Sequence, residues 1–463
     1  MADIEALKAS LGDIPLVTDR AKVQLKSRDF YWYSPVLKRQ LESVRADLVV
    51  EPRDEAEVIR ALRACHRQRV PVTVRGGGTS NYGQAMPIKG GVVLDLSRLD
   101  KVREIALGRV RADAGARLAR IDQLCQADSA QELRFHPSTL KMGTIGGFVA
   151  GGSSGVGSIT WGILRDRGNI LGVRVITMEA RPRALELRGD AIQKVNHAYG
   201  TNGVITEVEM PLAPALPWVD LIVGFDDFMT AARFGDALAR QDGLPKKLIT
   251  PLAAPIAELY FRPLQERIPA GSSVVLLMIA EPWLDAFRDF LGGWPGKILL
   301  ERAASDPRRK GLPIYELSWN HTTLHALRID PVITYLQVLY PPPAHLELIE
   351  QMYRHFGDEV MIHLEFVRFE GQIACFGLPI VRFTTEERLD EIIRYHEDHG
   401  CPIFNPHAFT LEEGGMKQVD RSHLAFKREA DPLGLLNPGK MLAWDNPELD
   451  MSRRSYLYRS LES

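Results

Sequence analysis

Two glycine-rich segments in the first half of the chain have residue types suited to binding an anion. The first is Arg75-Gly76-Gly77-Gly78-Thr79-Ser80, and the second begins with Gly143-Thr144-Ile145-Gly146-Gly147 and continues to Gly157. Glycine lacks a Cβ, so its backbone N–H can approach an anion closely and its φ can be positive. One such loop alone also fits a tight turn between strands. Two of them, each beside a predicted strand, favour a dinucleotide bound through its pyrophosphate.

Predicted strands place the first loop at the edge of a sheet. Residues 47–50 form a short buried strand, and Asp54 followed by Glu57 is a capping pattern that starts an amphipathic helix over residues 54–68. A strand over residues 70–74 then leads directly into the loop. Ligands bind at the carboxyl ends of strands in open α/β sheets. The loop does not open a helix, so the G-x-G-x-x-G nucleotide fingerprint does not apply.

The second segment is too apolar for a flexible linker. Ile145, Phe148, Val149 and Val156 lie among its glycines. Flexible linkers of this glycine content are usually serine-rich and polar. We therefore expect the segment to be buried.

The order and spacing of these motifs resemble the FAD-binding domain of the vanillyl-alcohol-oxidase family, also called the PCMH-type flavoproteins. The first loop is similar to that of the glycolate-oxidase and D-lactate-dehydrogenase branch. The resemblance implies an α+β fold with a two-subdomain FAD-binding domain and an antiparallel-sheet cap domain for the substrate. The motifs are residues 74–80, 136–139, 143–147, 169–175 and 201–208, with a closing motif at residues 436–441.

The resemblance also implies a division of the chain into domains. Pro211, Pro214 and Pro217 punctuate the end of the FAD-binding part and mark a boundary there. The strands and helices predicted beyond these prolines suit the cap, and they include one strand over residues 333–340 and a hairpin around Gly371. The implied parts are an N-terminal extension (1–44), the FAD-binding domain (45–215), the cap domain (216–424) and a return to the FAD-binding domain (425–463).

Cofactor-binding residues follow from the same resemblance. The first loop would hold the FAD pyrophosphate through backbone amides, and the C-terminal motif would return to the flavin edge. Thr79 stands where some members carry a histidine linked to flavin, and no cysteine lies near residues 150–160, so we predict non-covalent FAD. The implied residues are Arg75, Gly76, Gly77, Gly78, Thr79, Ser80, Pro137, Thr139, Gly143, Thr144, Gly147, Gly151, Gly157, Ile205, Asn437 and Lys440.

Hydride transfer to a flavin requires the cap to supply a base for the substrate hydroxyl. His321 lies among hydrogen-bonding residues, Glu365 alternates with His363 on one strand face, and His407 precedes the return to the FAD-binding domain. Each candidate also has a structural alternative. His321 fits a loop histidine without a catalytic task, Glu365 and His363 fit an ion pair on the solvent side, and His407 fits a turn. We predict that at least one of His321, Glu365 and His407 is the base. If none of them is, Tyr335 and Tyr340 are the next candidates.

The implied function is an FAD-dependent oxidoreductase that oxidises an alcohol or hydroxy acid and passes electrons to oxygen or a carrier. The alternatives are a flavin-binding electron-transfer subunit of a larger complex and, as in one ether-lipid branch, a flavin-dependent transferase without net redox. The glycolate and D-lactate branch often carries paired metal-binding histidines and a Glu-His-Gly sequence. Glu412-Glu413-Gly414 replaces the latter here, and we predict no metal site.

Composition limits the kinds of partner and the cellular compartment that we expect. The formal net charge of the 463-residue chain is −2, which argues against nucleic acid as the main partner. Its four cysteines are far apart and form no C-x-x-C, as expected in a reducing cytoplasm. The first residues show no signal-peptide pattern, and no apolar run reaches the ~18 residues of a membrane span. We expect a cytoplasmic protein. The basic and aromatic tail at residues 453–459 fits contact with a membrane or a partner subunit, but a solvated or core-docked segment is the favoured interpretation. A homo-oligomer or a partner subunit stays open.

Overall fold

The computed structural model describes residues 4–152, 154–303, 305–306, 311–415, 417, 419–446 and 448–449. The tail at residues 453–459 lies outside them. The helices are α1 (Ile4–Leu11), α2 (Arg20–Lys26), α3 (Pro35–Leu41), α4 (Glu55–Gln68), α5 (Leu118–Ser129), α6 (Ile145–Gly151), α7 (Ser158–Trp161), α8 (Phe228–Ala239), α9 (Ile256–Tyr260), α10 (Leu284–Leu291), α11 (Asn320–Leu327), α12 (His345–Phe356), α13 (Glu386–Asp398), α14 (Arg421–Ala430) and α15 (Leu442–Asp445). The strands are β1 (Leu16–Val17), β2 (Leu48–Val50), β3 (Val72–Arg75), β4 (Val92–Asp95), β5 (Val102–Ala106), β6 (Arg109–Asp113), β7 (Gln131–Leu133), β8 (Gly172–Ile176), β9 (Ala184–Leu187), β10 (Val204–Pro214), β11 (Trp218–Phe225), β12 (Lys246–Leu252), β13 (Ser273–Ala280), β14 (Lys297–Arg302), β15 (Ile333–Tyr335), β16 (Val338–Tyr340), β17 (Val360–Met361), β18 (Leu364–Phe369), β19 (Gln372–Gly377) and β20 (Ile380–Arg382).

The first sheet has the order β1-β2-β4-β3, in which β2, β4 and β3 are parallel. Helix α4 begins as the capping pattern predicts, because the Asp54 carboxylate accepts the N–H of Glu57 at 2.9 Å. Its apolar face buries Val58, Leu62 and Cys65 against the sheet. The glycine loop follows β3 at its carboxyl end, which places it at the edge of the sheet.

A second, antiparallel sheet has the order β5-β6-β10-β8-β9, and β7 also pairs with β10. Its buried residues, such as Val110 and Val208, belong to the same apolar cluster as Leu48 and Leu94 of the first sheet. The two sheets therefore share one core and form the two predicted subdomains of the FAD-binding domain.

The second glycine segment contains α6, a short helix that the sequence did not predict. Thr144 caps it, since its hydroxyl accepts the N–H of Gly147 at 3.3 Å. Ile145, Phe148 and Val149 are buried, as the apolar composition of the segment predicts. A Cβ on Gly146 would lie 2.5 Å from the Cβ of Ala114, so glycine allows α6 to pack directly against the chain after β6.

The cap is built from antiparallel sheets, and the predicted fold class is confirmed. Its largest sheet has the order β12-β13-β11-β14, and two smaller sheets have the orders β15-β20-β17 and β16-β19-β18. The hairpin predicted around Gly371 is formed by β18 and β19, with Gly371 at φ +78°. The single strand predicted over residues 333–340 is wrong. The chain leaves one small sheet after Tyr335 and enters the other at Val338.

The N-terminal segment packs onto the FAD-binding sheets. Strand β1 pairs with β2, and Leu7 and Leu11 of α1 are buried in the core that the two sheets share. All four cysteines are buried free thiols. Among the described residues, no helix combines the length and apolar character needed to span a membrane.

One buried histidine of the cap gives the fold a pH dependence. His396 of α13 is fully buried, and burial lowers its pKa to about 4. Between pH ~6.5 and ~4 the unfolded chain therefore takes up a proton that the folded chain refuses, so stability falls as the pH falls. We expect H396L to flatten the pH dependence of the free energy of unfolding in this range by up to ~1.4 kcal/mol per pH unit.

The exposed His399, one residue beyond the same helix, supplies the control for this prediction. H399L should keep the wild-type slope. Every other group is common to wild type and H396L, so its contribution cancels in the difference. Parallel curves for wild type and H396L would show that His396 does not contribute.

Candidate FAD and substrate site

A cavity of about 660 Å³ lies between the two glycine segments and the cap. Its FAD-domain wall contains the loop after β3, the segment around α6 and residues 195–203. Its cap wall contains α11 and aromatic side chains, including Phe376 and Phe404. The structure thus brings most of the predicted cofactor-binding residues to one surface. Those lining it are Gly76, Gly77, Gly78, Thr79, Ser80, Pro137, Thr139, Gly143, Thr144, Gly147, Gly151 and Ile205.

The first loop has the chemistry needed for a pyrophosphate. Within the described part of the chain, the backbone N–H groups of Gly77, Gly78 and Thr79 donate to no acceptor. A Cβ on Gly76 would lie 2.1 Å from Oγ1 of Thr144, and one on Gly77 would lie 2.2 Å from the carbonyl oxygen of Met142. Glycine is therefore required where the two segments meet. The result is a cradle of N–H groups open to the cavity, which fits the diphosphate of FAD.

Two of the predicted cofactor-binding residues lie behind the cavity wall instead of lining it. Arg75 donates from Nη1 to the carbonyl oxygen of Arg28 at 2.6 Å, and burial lowers the pKa of its guanidinium. Gly157 has φ +102°, and a Cβ there would lie 2.2 Å from the carbonyl oxygen of Arg134. Both residues fix the course of the chain that carries the cavity wall.

Asn437 and Lys440, the two predicted residues of the C-terminal motif, also lie behind the cavity wall. Asn437 donates from Nδ2 to the carbonyl oxygens of Gln84 at 2.9 Å and Tyr199 at 2.7 Å. Lys440 is fully buried and donates to the carbonyl oxygen of Gly83 at 2.5 Å. Burial lowers the pKa of Lys440 to about 7. These residues join the closing motif to segments that line the cavity.

Residues 29–33 contribute to the site, and sequence reasoning missed them. Phe30, Trp32 and Tyr33 line the cavity. Asp29 is buried, and its Oδ2 accepts the hydroxyl of Ser80 at 2.6 Å and the N–H of Ala85 at 3.2 Å. The available signal was an acidic residue followed by four consecutive aromatic residues, which is an unusual composition for a terminal extension.

Among the three predicted bases, His321 lines the cavity. Its Nδ1 lies 3.0 Å from Oε2 of Glu316, and Oε1 of Glu316 lies 3.1 Å from Nζ of Lys141. Burial alone would raise the pKa of Glu316, but the hydrogen bonds from His321 and Lys141 hold it below its usual range. The carboxylate therefore orients the imidazole through Nδ1–H, and Nε2 has no partner among the described residues. The sequence had not singled out Glu316.

Glu365 does not line the cavity. It alternates with His363 as predicted, but that strand face is packed inside the cap. The carboxylate accepts the hydroxyl of Thr250 at 2.6 Å and the backbone N–H of Trp319 at 2.6 Å, and Nε2 of His363 lies 2.9 Å away. Both carboxylate oxygens are occupied by contacts with other residues of the cap, so the structure gives Glu365 no route to a substrate proton.

His407 is also removed from the cavity wall. Its Nε2 donates to the carbonyl oxygen of Tyr335 at 3.1 Å, and its Nδ1 accepts the hydroxyl of Ser34 at 2.7 Å. Burial lowers the pKa of His407 to about 4, so the ring is neutral and joins the N-terminal segment to the cap. Tyr335 and Tyr340, the reserve candidates, are fully buried and do not line the cavity.

Helix α11 presents a polar face to the cavity. His321, Leu324, His325 and Arg328 recur at three- and four-residue spacing, so they share that face, and all four line the cavity. His325 lies with Nε2 at 3.2 Å from the carbonyl oxygen of Glu316. Arg328 is exposed, and its guanidinium forms no ion pair among the described residues.

Comparison with known proteins identifies FAD as the cofactor. A family model described as "FAD binding domain" matches residues 46–184. The glycolate oxidase subunit GlcD of Escherichia coli (strain K12) is 34% identical over 206 residues, which are 42% of this chain and 40% of that protein. The D-lactate dehydrogenase of Anaerostipes hadrus is 28% identical over 184 residues, or 37% of each chain. The matches span about two fifths of the length of these curated relatives.

Solved structures extend the likeness of fold to nearly the whole chain. Alkyldihydroxyacetonephosphate synthase superposes with a TM-score of 0.71 at 16% sequence identity, covering 94% of this chain and 84% of that one. At this identity the likeness concerns the fold alone. The FAD-binding domain match over residues 46–184 and the cradle of the first loop together give FAD as the cofactor.

Proposed function

We propose that the protein is an FAD-dependent oxidoreductase that oxidises an alcohol or hydroxy acid. The observation that carries the proposal is the pair formed by Glu316 and His321 at the cavity wall, joined at 3.0 Å with Nε2 of His321 unpaired among the described residues. Bound FAD supplies the hydride acceptor. The protein must then provide a base for the hydroxyl proton, and a histidine oriented by a carboxylate suits that task.

Three residues of the protein share the task of removing the hydroxyl proton. His321 takes the hydroxyl proton at Nε2. Glu316 keeps the proton on Nδ1 and stabilises the positive charge that the imidazole gains. Lys141 holds Glu316 in place from its other oxygen. The low pKa of Glu316 keeps it ionised, as this role requires.

The position of Arg328 favours an acidic substrate. It lies on the same face of α11 as His321, two turns along the helix, and a guanidinium binds a carboxylate through two parallel hydrogen bonds. The names of the relatives, glycolate oxidase subunit and D-lactate dehydrogenase, agree with a hydroxy acid. We therefore place hydroxy acids ahead of neutral alcohols as the substrate.

The second candidate function is an electron-transfer subunit of a larger complex, and the word "subunit" in the name of the E. coli relative favours it. An anaerobic screen separates the two. An oxidoreductase loses the absorbance of oxidised flavin when its own hydroxy acid or alcohol is added. A subunit without its own substrate site is reduced only by a partner. Repeating the reaction with oxygen or with an artificial carrier then identifies the electron acceptor.

We expect acid denaturation to release all of the FAD. The loop position that carries the linking histidine in covalent members is Thr79, which lines the cavity. The lining histidines of the described chain are His197, His321 and His325, and none belongs to that loop. Acid precipitation should leave a colourless pellet and a yellow supernatant. Flavin fluorescence that stays with the denatured chain in a gel would contradict this expectation.

A further inference from the structure

Gln337, between β15 and β16 of the cap, is a half-buried residue with an accessible amide nitrogen. Leu336 and Val338 on either side are fully buried, and Gln337 lines the cavity, so its exposed surface faces the cavity. Within the described residues, Nε2 of Gln337 donates to no acceptor, yet it is not among the fully buried polar atoms that lack a partner. The N–H groups of this amide therefore border space that a bound molecule can occupy.

The orientation of the amide is set from the FAD-binding domain. The hydroxyl of Tyr82, in the segment after the first glycine loop, donates to Oε1 of Gln337 at 2.5 Å. With Oε1 engaged, the two N–H groups of Nε2 are left for a ligand. The carbonyl oxygen of Gln337 accepts the N–H of Phe404 at 2.8 Å, which fixes the main chain as well. The donor is therefore held in place before a ligand binds.

Gln337 lies on the part of the cap wall that includes Arg328. The ring of Tyr33 packs edge-on against that of Tyr335, with 6.0 Å between the ring centroids, and Tyr335 is two residues before Gln337. Burial raises the pKa of Tyr33, and the nearby guanidinium of Arg328 opposes that rise. Tyr33 thus lies beside both segments. A carboxylate has about four sites for hydrogen bonds and one guanidinium fills two of them, so a carboxylate bound to Arg328 can accept further donors.

We propose that the side-chain amide of Gln337 donates a hydrogen bond to the carboxylate of the substrate, and that Tyr82 is a positioning residue for that donor. The inference rests on the proposed function, which supplies an acidic ligand. In that function His321 takes the hydroxyl proton and Arg328 supplies the positive charge. Gln337 adds a neutral donor that an alcohol without a carboxylate cannot use. It is therefore a residue that selects hydroxy acids over alcohols.

The test compares acid and alcohol probes of equal chain length in the same variants. Q337M keeps the length of the side chain and removes the donor, and Y82F removes the hydroxyl that orients it. Q372M, at an exposed glutamine of β19 outside this cavity, is the control. The probes are octanoate, both enantiomers of 2-hydroxyoctanoate, both enantiomers of lactate, and 1-octanol. Their binding to the oxidised holoprotein is followed anaerobically by perturbation of the flavin spectrum immediately after mixing, and binding of FAD to the apoprotein by flavin fluorescence.

We expect Q337M to raise the Kd of octanoate and of the best-bound hydroxy acid about tenfold, as for loss of one hydrogen bond to a charged group. The Kd of 1-octanol and that of FAD should change less than about twofold. Y82F should raise the Kd of the acids by about threefold, because the amide stays but is no longer oriented, and Q372M should match wild type. Since Tyr82 acts through Gln337, the Q337M/Y82F double variant should bind the acids no more weakly than Q337M. If circular dichroism shows that Q337M does not fold, Y82F decides the test, and an unchanged acid Kd in Y82F overturns the assignment.

Other outcomes contradict the proposal in distinct ways. A Q337M protein that loses FAD affinity would place the acceptor on the cofactor, and equal weakening of octanoate and 1-octanol would show lost packing instead of a lost carboxylate contact. Unchanged acid affinity in Q337M, additive effects in the double variant, or a wild-type spectrum that no acid perturbs would each overturn the assignment. Binding of the hydroxy acids without flavin reduction would contradict the proposed oxidation and leave this inference standing. Reduction by a hydroxy acid whose affinity Q337M does not alter would do the reverse.

Discussion

Replacement of Gly77 by valine is expected to abolish FAD binding while the cap stays folded. A Cβ at this position would lie 2.2 Å from the carbonyl oxygen of Met142 and 3.1 Å from its carbonyl carbon, and valine adds two methyl groups. The two glycine segments must then separate, which removes the N–H groups of Gly77, Gly78 and Thr79 from their common cradle. Steric contact is the whole cause, because the positive φ in this loop belongs to Gly78, at +62°.

The measurement is the flavin content of the purified variant together with the Kd of its apoprotein for FAD. G243V is the matched control, since Gly243 is exposed and a Cβ there meets no atom within 4 Å. Far-ultraviolet circular dichroism and a cooperative thermal transition show whether the variant is folded. A folded G77V protein with full flavin occupancy would show that this loop is not the pyrophosphate cradle.

Replacement of His321 by glutamine is expected to slow flavin reduction at least ~100-fold, the lower range for loss of a general base. Glutamine keeps a polar side chain of similar length but cannot take up the hydroxyl proton. FAD binding should be unchanged, because His321 belongs to the cap wall. Stopped-flow absorbance under anaerobic conditions measures the reduction rate directly, with a substrate established for the wild-type protein.

His325 supplies the matched control for His321. It lies one turn further along the same face of α11 and lines the same cavity, but its Nε2 is already engaged by the carbonyl oxygen of Glu316. H325Q should therefore slow reduction far less than H321Q. E316Q should fall between them, because it leaves the imidazole present but poorly oriented. A rate near wild type in H321Q would remove His321 from the role of base.

Local patterns in the sequence predicted the FAD-binding half well. The capping pair Asp54 and Glu57 and the apolar spacing of Val58 and Leu62 specify α4 within a few residues, and the glycine loop follows β3 as expected. Turn and capping chemistry acts over short distances along the chain, so it can be read from sequence alone. The same holds for the turn at Gly371, whose φ of +78° favours glycine.

Identifying the candidate base required knowledge of contacts between segments that are distant in the sequence. Nothing local to Glu365 shows that Thr250 and Trp319 occupy its carboxylate, and nothing local to His407 shows that Ser34 lies against it. Glu316 was missed for the same reason, since its importance comes from its place beside His321. The N-terminal aromatic residues reach the cavity because their segment is bonded to the first loop, where the N–H of Phe30 donates to the carbonyl oxygen of Ser80 at 2.7 Å. Such contacts depend on tertiary packing, which periodicity does not encode.

The most direct test of the proposed oxidoreductase is the anaerobic absorbance of its flavin during titration with hydroxy acids and alcohols. At least one compound should remove the absorbance of oxidised flavin in the wild-type protein, with hydroxy acids acting at lower concentration than neutral alcohols of the same length. The H321Q protein should approach the same end point far more slowly. A flavin that dithionite reduces readily but that no hydroxy acid or alcohol reduces would contradict the assigned function.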